Sequence, residues 1–301
     1  MANLRDIRRR IRSVNTTAQI TRAMQMVAAA KMRKAQHSAI QGRPYAALLG
    51  DILREVTGTT AQYRHALMET RPVGTTAVIV VSTDKGLCGS LNANLFREIQ
   101  HYDPSRTVFV AVGRRGAQFI SRSRRRLIAE FTWRETHLLG MARMVSRFVS
   151  GLFLDGDIDR AELVYTDFIS TLRQEPRRRP FLPISEMGSM VTDMDLSGPR
   201  DEGPAAGSGI DRLAGCVEFK FEPDIDDVLQ PLLVLALDFQ MYQVILESRA
   251  SENSARMVAM KNATDNAHAL VRELTLEYNK LRQAAITGEL IEISTALAIG
   301  G

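Results

Sequence analysis

The stretch STDKGLCGSLNANL (82–95) places two glycines, a cysteine and a lysine just after a β-branched run and just before a helical one. In α/β proteins that junction is where backbone N–H groups at a helix start cradle phosphate. The match to such a loop is incomplete, because neither GxGxxG nor GxxxxGK[ST] is present. GRRG (113–116) fails in the same way. Gly86 and Gly89 read better as the means of a tight strand-to-helix turn. Cys88 has no basic partner that the sequence assigns to it, which favours a packed side chain over a nucleophile. The five histidines (His37, His65, His101, His137, His268) form no pair at ligand spacing, and Cys88 and Cys216 form no CxxC unit. No catalytic constellation emerges, and neither a cofactor nor a metal site is expected.

The second group of residues with chemistry to offer is basic. The chain carries a net charge of +5, and the charge is uneven. Residues 1–34 hold nine basic side chains (Arg5, Arg8, Arg9, Arg10, Arg12, Arg22, Lys31, Arg33, Lys34) against Asp6 alone. Residues 232–301 hold six basic and eight acidic ones, a mildly acidic balance. A basic terminus invites a nucleic-acid reading, but aromatic stacking residues and zinc-finger, RRM or helix-turn-helix patterns are missing there.

The elements that must carry these residues are legible by period. Leu4, Ile7, Ile11, Val14, Ala18, Thr21, Gln25, Ala28, Met32 and Ala35 alternate steps of three and four, a heptad seam. MQMVAAAKMRKAQ (24–36) makes that helix slim enough for another backbone to approach. Pro44 predicts a kink, and Gly58–Thr59 an end. From Leu232 to Ile299 there is no proline, and Leu246, Ala250, Asn253, Met257, Met260, Thr264, Ala267, Val271, Leu274, Tyr278, Leu281 and Ala285 repeat the seam. The two helices predict an intramolecular antiparallel coiled coil. Between them TTAVIVVS (75–82), TVFVAVG (107–113) and AELVYTDFIS (161–170) read as strands. Helical stretches near 91–102, 115–121 and 135–155 make βαβ units. GCVEFKFEP (215–223) reads as one more strand, and the Gly/Pro-rich residues 195–214 as a surface loop. No stretch of about 18 apolar residues is evident, and no signal h-region or organelle leader is read near the start.

The expected class is α/β, with long N- and C-terminal coiled-coil helices around an inserted Rossmann-like domain. Its segments are 1–58, 73–223 and 224–301. IRRRIRSVNTTAQITRAMQMVAAAKMRKAQ, STDKGLCGSLNANL, ESRASENSARMVAMKNATDNA and YNKLRQAAITGELIEI, in that order, resemble the gamma subunit of F-type ATP synthases. The resemblance implies a non-catalytic rotary shaft inside a ring of alpha and beta subunits, with an epsilon subunit and the membrane c-ring as further partners and no nucleic acid. It places the chain on the cytoplasmic face of a bacterial membrane.

The same resemblance implies contact residues. Lys31, Arg33 and Lys34 would face acidic ring segments, Met24 and Arg256 would lie together at that level, and Arg282 and Gln283 would make polar contacts higher on the shaft. It also implies a register in which Ile11 faces Ala267 and Val271, with Leu281, Ile286, Leu290, Ile293 and Leu297 facing a collar. The alternatives are a basic coiled-coil protein that binds nucleic acid and a nucleotide-binding enzyme built on the middle domain.

Overall fold

The computed structural model describes residues 4–59, 65–133, 137–184 and 225–299. Helix α1 (Leu4–Thr59) and helix α5 (Ile225–Ile299) flank an α/β region. That region comprises β1 (Thr76–Val81), α2 (Leu91–Gln100), β2 (Thr107–Val112), α3 (Arg114–Arg122), β3 (Leu127–Phe131), α4 (Leu138–Leu154), β4 (Arg160–Phe168) and β5 (Gln174–Leu182). α5 is a helix of 75 residues. α1 runs on through Pro44, where the sequence predicts a kink, and α5 begins seven residues before Leu232 and accommodates Pro231. The predicted strand at 215–223 and loop at 195–214 lie outside the described residues.

The sheet order is β3-β2-β1-β4-β5. β1 pairs in parallel with β2 and with β4, β2 with β3, and β5 closes the edge antiparallel to β4. Because β1 and β2 are covered on both faces, they are continuous apolar runs and not alternating ones. Their odd and even residues then part company. Ala77, Ile79, Val110 and Val112 pack with Val145, Val149 and Phe153 of α4 and with Leu237, Met241 and Val244 of α5. Val78, Val80, Phe109 and Ala111 pack with Leu95 and Ile99 of α2 and Ile120 of α3. Each such fully buried side chain stabilises the fold by about 1.5–3 kcal/mol.

Two strands escape the sequence analysis. β3 is a five-residue edge strand, and β5 reads QEPRRRPFL, whose Pro176 and Pro180 and three arginines suppress any strand signal. An edge position among the described strands tolerates both, since one side of the strand donates to no described neighbour. α5 also corrects a reading: part of Asp227–Ile291 is apolar enough, at mean hydropathy 1.4, to match a membrane span by length and composition. Its apolar residues, Leu229, Leu233, Leu237, Met241, Val244 and Ile245, are instead buried in the α/β region.

The contacts divide the chain into two compact units. One comprises Met1–Ala30 with Arg256–Gly301, and the other Lys31–Ala255. In the first, the two seams meet: Ile7, Ala18, Thr21 and Ala28 of α1 are buried, as are Met260, Thr264, Ala267 and Leu274 of α5. The hydroxyls of Thr21 and Thr264 lie 2.7 Å apart and fix the layer. Counting by heptad steps in opposite directions, Ala18 then faces Ala267, Val14 faces Val271, Ile11 faces Leu274, and Leu4 faces Leu281. This corrects the register implied by resemblance, which set Ile11 against Ala267 and Val271 rather than Leu274. Both seams repeat identically, so periodicity alone permits any heptad offset, and only the matched hydroxyls choose one. In the second unit, Gly42 lies under the Phe239 ring and beside Gln243, and Tyr45 packs on Phe239 at 4.9 Å, again antiparallel.

Candidate interface on the long helices

For GRRG (113–116), the phosphate-loop idea is answered by local geometry. Strand β1 delivers Ser82–Asp84 to the start of α3, where the N–H of Arg114 donates to Asp84 Oδ1 (2.9 Å), that of Arg115 to the Thr83 carbonyl (3.0 Å), and that of Gly116 to Ser82 Oγ (2.8 Å). The donors that a phosphate would need are already occupied by the chain itself. Gly113, at φ +105°, lets β2 run this close, for a side chain there would collide with the Ser82 carbonyl. Gly89 serves the turn at φ +59°, whereas Gly86 has no left-handed φ. Cys88 is buried and accepts from Asn92 Nδ2 at 3.4 Å, the packed role expected of it.

The arginine-rich β5 is likewise turned to the chain's own use. Arg177 pairs with Asp167 at 3.0 Å, Arg178 with Glu98 at 2.7 Å while lying over the Tyr102 ring, and Arg179 sits 5.3 Å above the Tyr165 ring. Burial, and then the hydrogen bond to Glu162, holds the Tyr102 hydroxyl protonated well above its usual range. These cations are committed to the fold, which leaves little of the run for a polyanion.

The outward surface of the long helices is different. Lys31, Arg33 and Lys34 stand exposed on α1 in the larger unit. In the coiled-coil unit, Met24 and Arg256 are half-buried at the seam's margin, and Arg282 and Gln283 are exposed on α5. The register sets Met24 closer to the Met260 layer than to Arg256. Past Leu281 the register leaves α5 without an α1 residue to face among those described, and its apolar side chains come out: Ile286 is 49% exposed, Leu290 61% and Ile291 61%. The side chains of Ile293 and Leu297 lie outside the described residues.

A second apolar stripe was not singled out from sequence. Ile20, Met26 and Val27 of α1 point away from the seam and are each more than half exposed. The signal was available: Ile20, Ala23 and Val27 repeat the three-four step off the main seam. Exposed side chains of that size, arrayed on a two-helix rod, mark a surface that another molecule covers.

Comparison with known proteins bears on what that molecule is. A family model described as ATP synthase matches residues 3–298. The chain is similar to the ATP synthase gamma chain of Opitutus terrae, at 43% identity over 98% of each chain, and to that of Methylacidiphilum infernorum, at 42% over 98% of each. In fold it resembles a chain of the Euglena gracilis mitochondrial ATP synthase, solved as its OSCP/F1/c-ring part, with a TM-score of 0.66 and 19% identity over 98% of this chain and 93% of that one. It also resembles a chain of the Tetrahymena thermophila mitochondrial ATP synthase central stalk and c-ring, with a TM-score of 0.62 and 23% identity over 81% and 99%. Nothing in these likenesses supports a nucleic-acid-binding role. With its paired seams, its α/β region and the bare apolar end of α5, the chain belongs to the ATP synthase gamma-chain family.

Proposed function

We propose that the chain is the rotor shaft of an F-type ATP synthase, coupling ion passage through the membrane sector to ATP synthesis or hydrolysis in a ring of alpha and beta subunits. The observation that carries this is the pattern of exposed apolar residues on the coiled-coil unit: Ile20, Met26 and Val27 on one helix, Leu276, Ile286, Leu290 and Ile291 on the other. A rod that turns inside a collar needs an outer surface able to slide against apolar walls, and an inner seam that holds its two helices together. The seam holds the two helices together, while the side chains of the outer stripe stand exposed.

Around that stripe, Lys31, Arg33 and Lys34 face acidic segments of the ring by charge, Met24 and Arg256 flank the same level, and Arg282 with Gln283 supply polar contacts near the tip. The segments 1–58 and 224–301 serve as shaft, and 73–223 as the body that meets the epsilon subunit and the c-ring at the cytoplasmic face of a bacterial membrane. The chain itself performs no catalysis, a reading supported at the GRRG segment, where Asp84, Thr83 and Ser82 take up the amides of Arg114, Arg115 and Gly116. Purified alone it should not turn over ATP, whereas adding it to alpha and beta subunits should yield an active ATPase. Steady turnover by the chain alone, or an alpha-beta mixture indifferent to its addition, would refute the assignment.

A further inference from the structure

The chain order makes β1 the pivot of the sheet. It runs outward through β2 to β3, then crosses back to place β4 on the other side of β1. In open α/β sheets the crevice at the carboxyl ends of the two strands flanking such a switch is the ligand site. Here that crevice survives as a cavity of about 10 Å³ between Ser82 and Thr83 just after β1, Thr166 of β4, Asn92 of α2, and Ser248 and Glu252 of α5. The long helix closes over the place a ligand would enter. What remains has the size of a single water molecule, far too small for a phosphate.

The cavity is also polar and unsatisfied. Thr166 and Ser248 are 4% and 7% exposed, and their hydroxyl oxygens have no hydrogen-bond partner among the described residues. Asn92 spends its amide nitrogen on Thr83 Oγ1 at 2.8 Å and Cys88 Sγ at 3.4 Å, which fixes the orientation of the group and leaves Oδ1 as the third unpaired atom. Buried polar atoms are seldom left so, and an ordered water costs less to immobilise than three such atoms cost to strand. The complement is right for water: Asn92 Oδ1 can only accept, while the two hydroxyls can each donate or accept, so one water can serve all three.

We propose that this cavity is a binding site for one internal water, which joins α2, β4 and α5 through Asn92, Thr166 and Ser248 and so fastens the sheet to the long helix at its switch point. The Arg249 guanidinium lies 3.6 Å from the Glu252 carboxylate, which balances the charge at the rim and favours a neutral guest over a cation. The test is a high-resolution crystal structure of the full chain with the subunits that copurify with it. A peak at about 2.7–3.2 Å from all three oxygens supports the site. An empty cavity, a side chain rotated into it, or a metal-like cluster of shorter contacts overturns it.

Hydrogen exchange gives a second reading. Thr166→Val keeps the shape and removes a partner, so the peak should vanish and amide exchange around Ser248–Glu252 should quicken about tenfold, while Thr166→Ser should retain both the water and the parental rate. Ser248→Ala attacks the opposite wall and should act in the same direction as Thr166→Val. Parental exchange in both the valine and the alanine variants would overturn the proposal even if one of them assembled poorly.

Discussion

At the scale of single residues, the α/β region rests on positions whose roles are set by what touches them. Gly113→Ala would force a side chain into the Ser82 carbonyl at a left-handed φ, so it should destabilise the chain by about 3 kcal/mol or more, read from urea unfolding of the purified protein. The sequence shows Gly113 only as part of an incomplete GRRG motif; the Ser82 carbonyl that presses on it comes from 31 residues upstream, and no local pattern records that. Glu247 is a buried acid of another kind. Burial raises the pKa of its carboxyl, the nearby Asp167 adds to the rise, and Arg179 opposes it. The unfolded chain ionises Glu247 near the ordinary carboxylate range, while the folded chain still holds the proton. Its contribution to stability is therefore complete at low pH and is lost as pH climbs through and beyond that range. Glu247→Gln should flatten this dependence: more stable than the parent above neutral pH and no more stable at about pH 4, as followed by denaturation across pH.

At the scale of elements, how much was legible depends on whether the signal is periodic. The seams of α1 and α5 were readable because Ile7, Ala18 and Ala28 recur on one stripe and Met260, Ala267 and Leu274 on another, and those residues are buried. Strands β1, β2 and β4 were readable as apolar runs. β5 was not, because its arginines are stabilised by Asp167, Glu98 and the Tyr165 ring, partners that only the folded sheet supplies. Register was the other illegible quantity. The Thr21–Thr264 pair now predicts which cysteines will join: with Cys88 and Cys216 replaced by serine, a cysteine at 11 should oxidise most efficiently with one at 274, and poorly with one at 260 or 267. A maximum at 267 or 271 would restore the register inferred from resemblance and contradict the pairing of Thr21 with Thr264.

At the scale of the whole molecule, the bare end of α5 separates folding from assembly. Replacing Ile286, Leu290 and Ile291 together by serine removes apolar side-chain surface that is exposed in the chain alone. The thermal midpoint of the isolated chain should stay within a degree or two of the parent, while retention by an alpha-beta ring on gel filtration should fall at least tenfold in affinity. The pairing of first and last helices has a further consequence, in time. Thr21 and Thr264 are 243 residues apart, so at a synthesis rate of about 5–20 residues per second the first helix leaves the ribosome roughly ten to fifty seconds before its partner exists. Through that interval Ile7, Ile11, Val14 and Ala18 have no seam to enter. The nascent chain must therefore carry an adhesive, positively charged helix, a natural client for a holding chaperone, until nearly its last residues have been made.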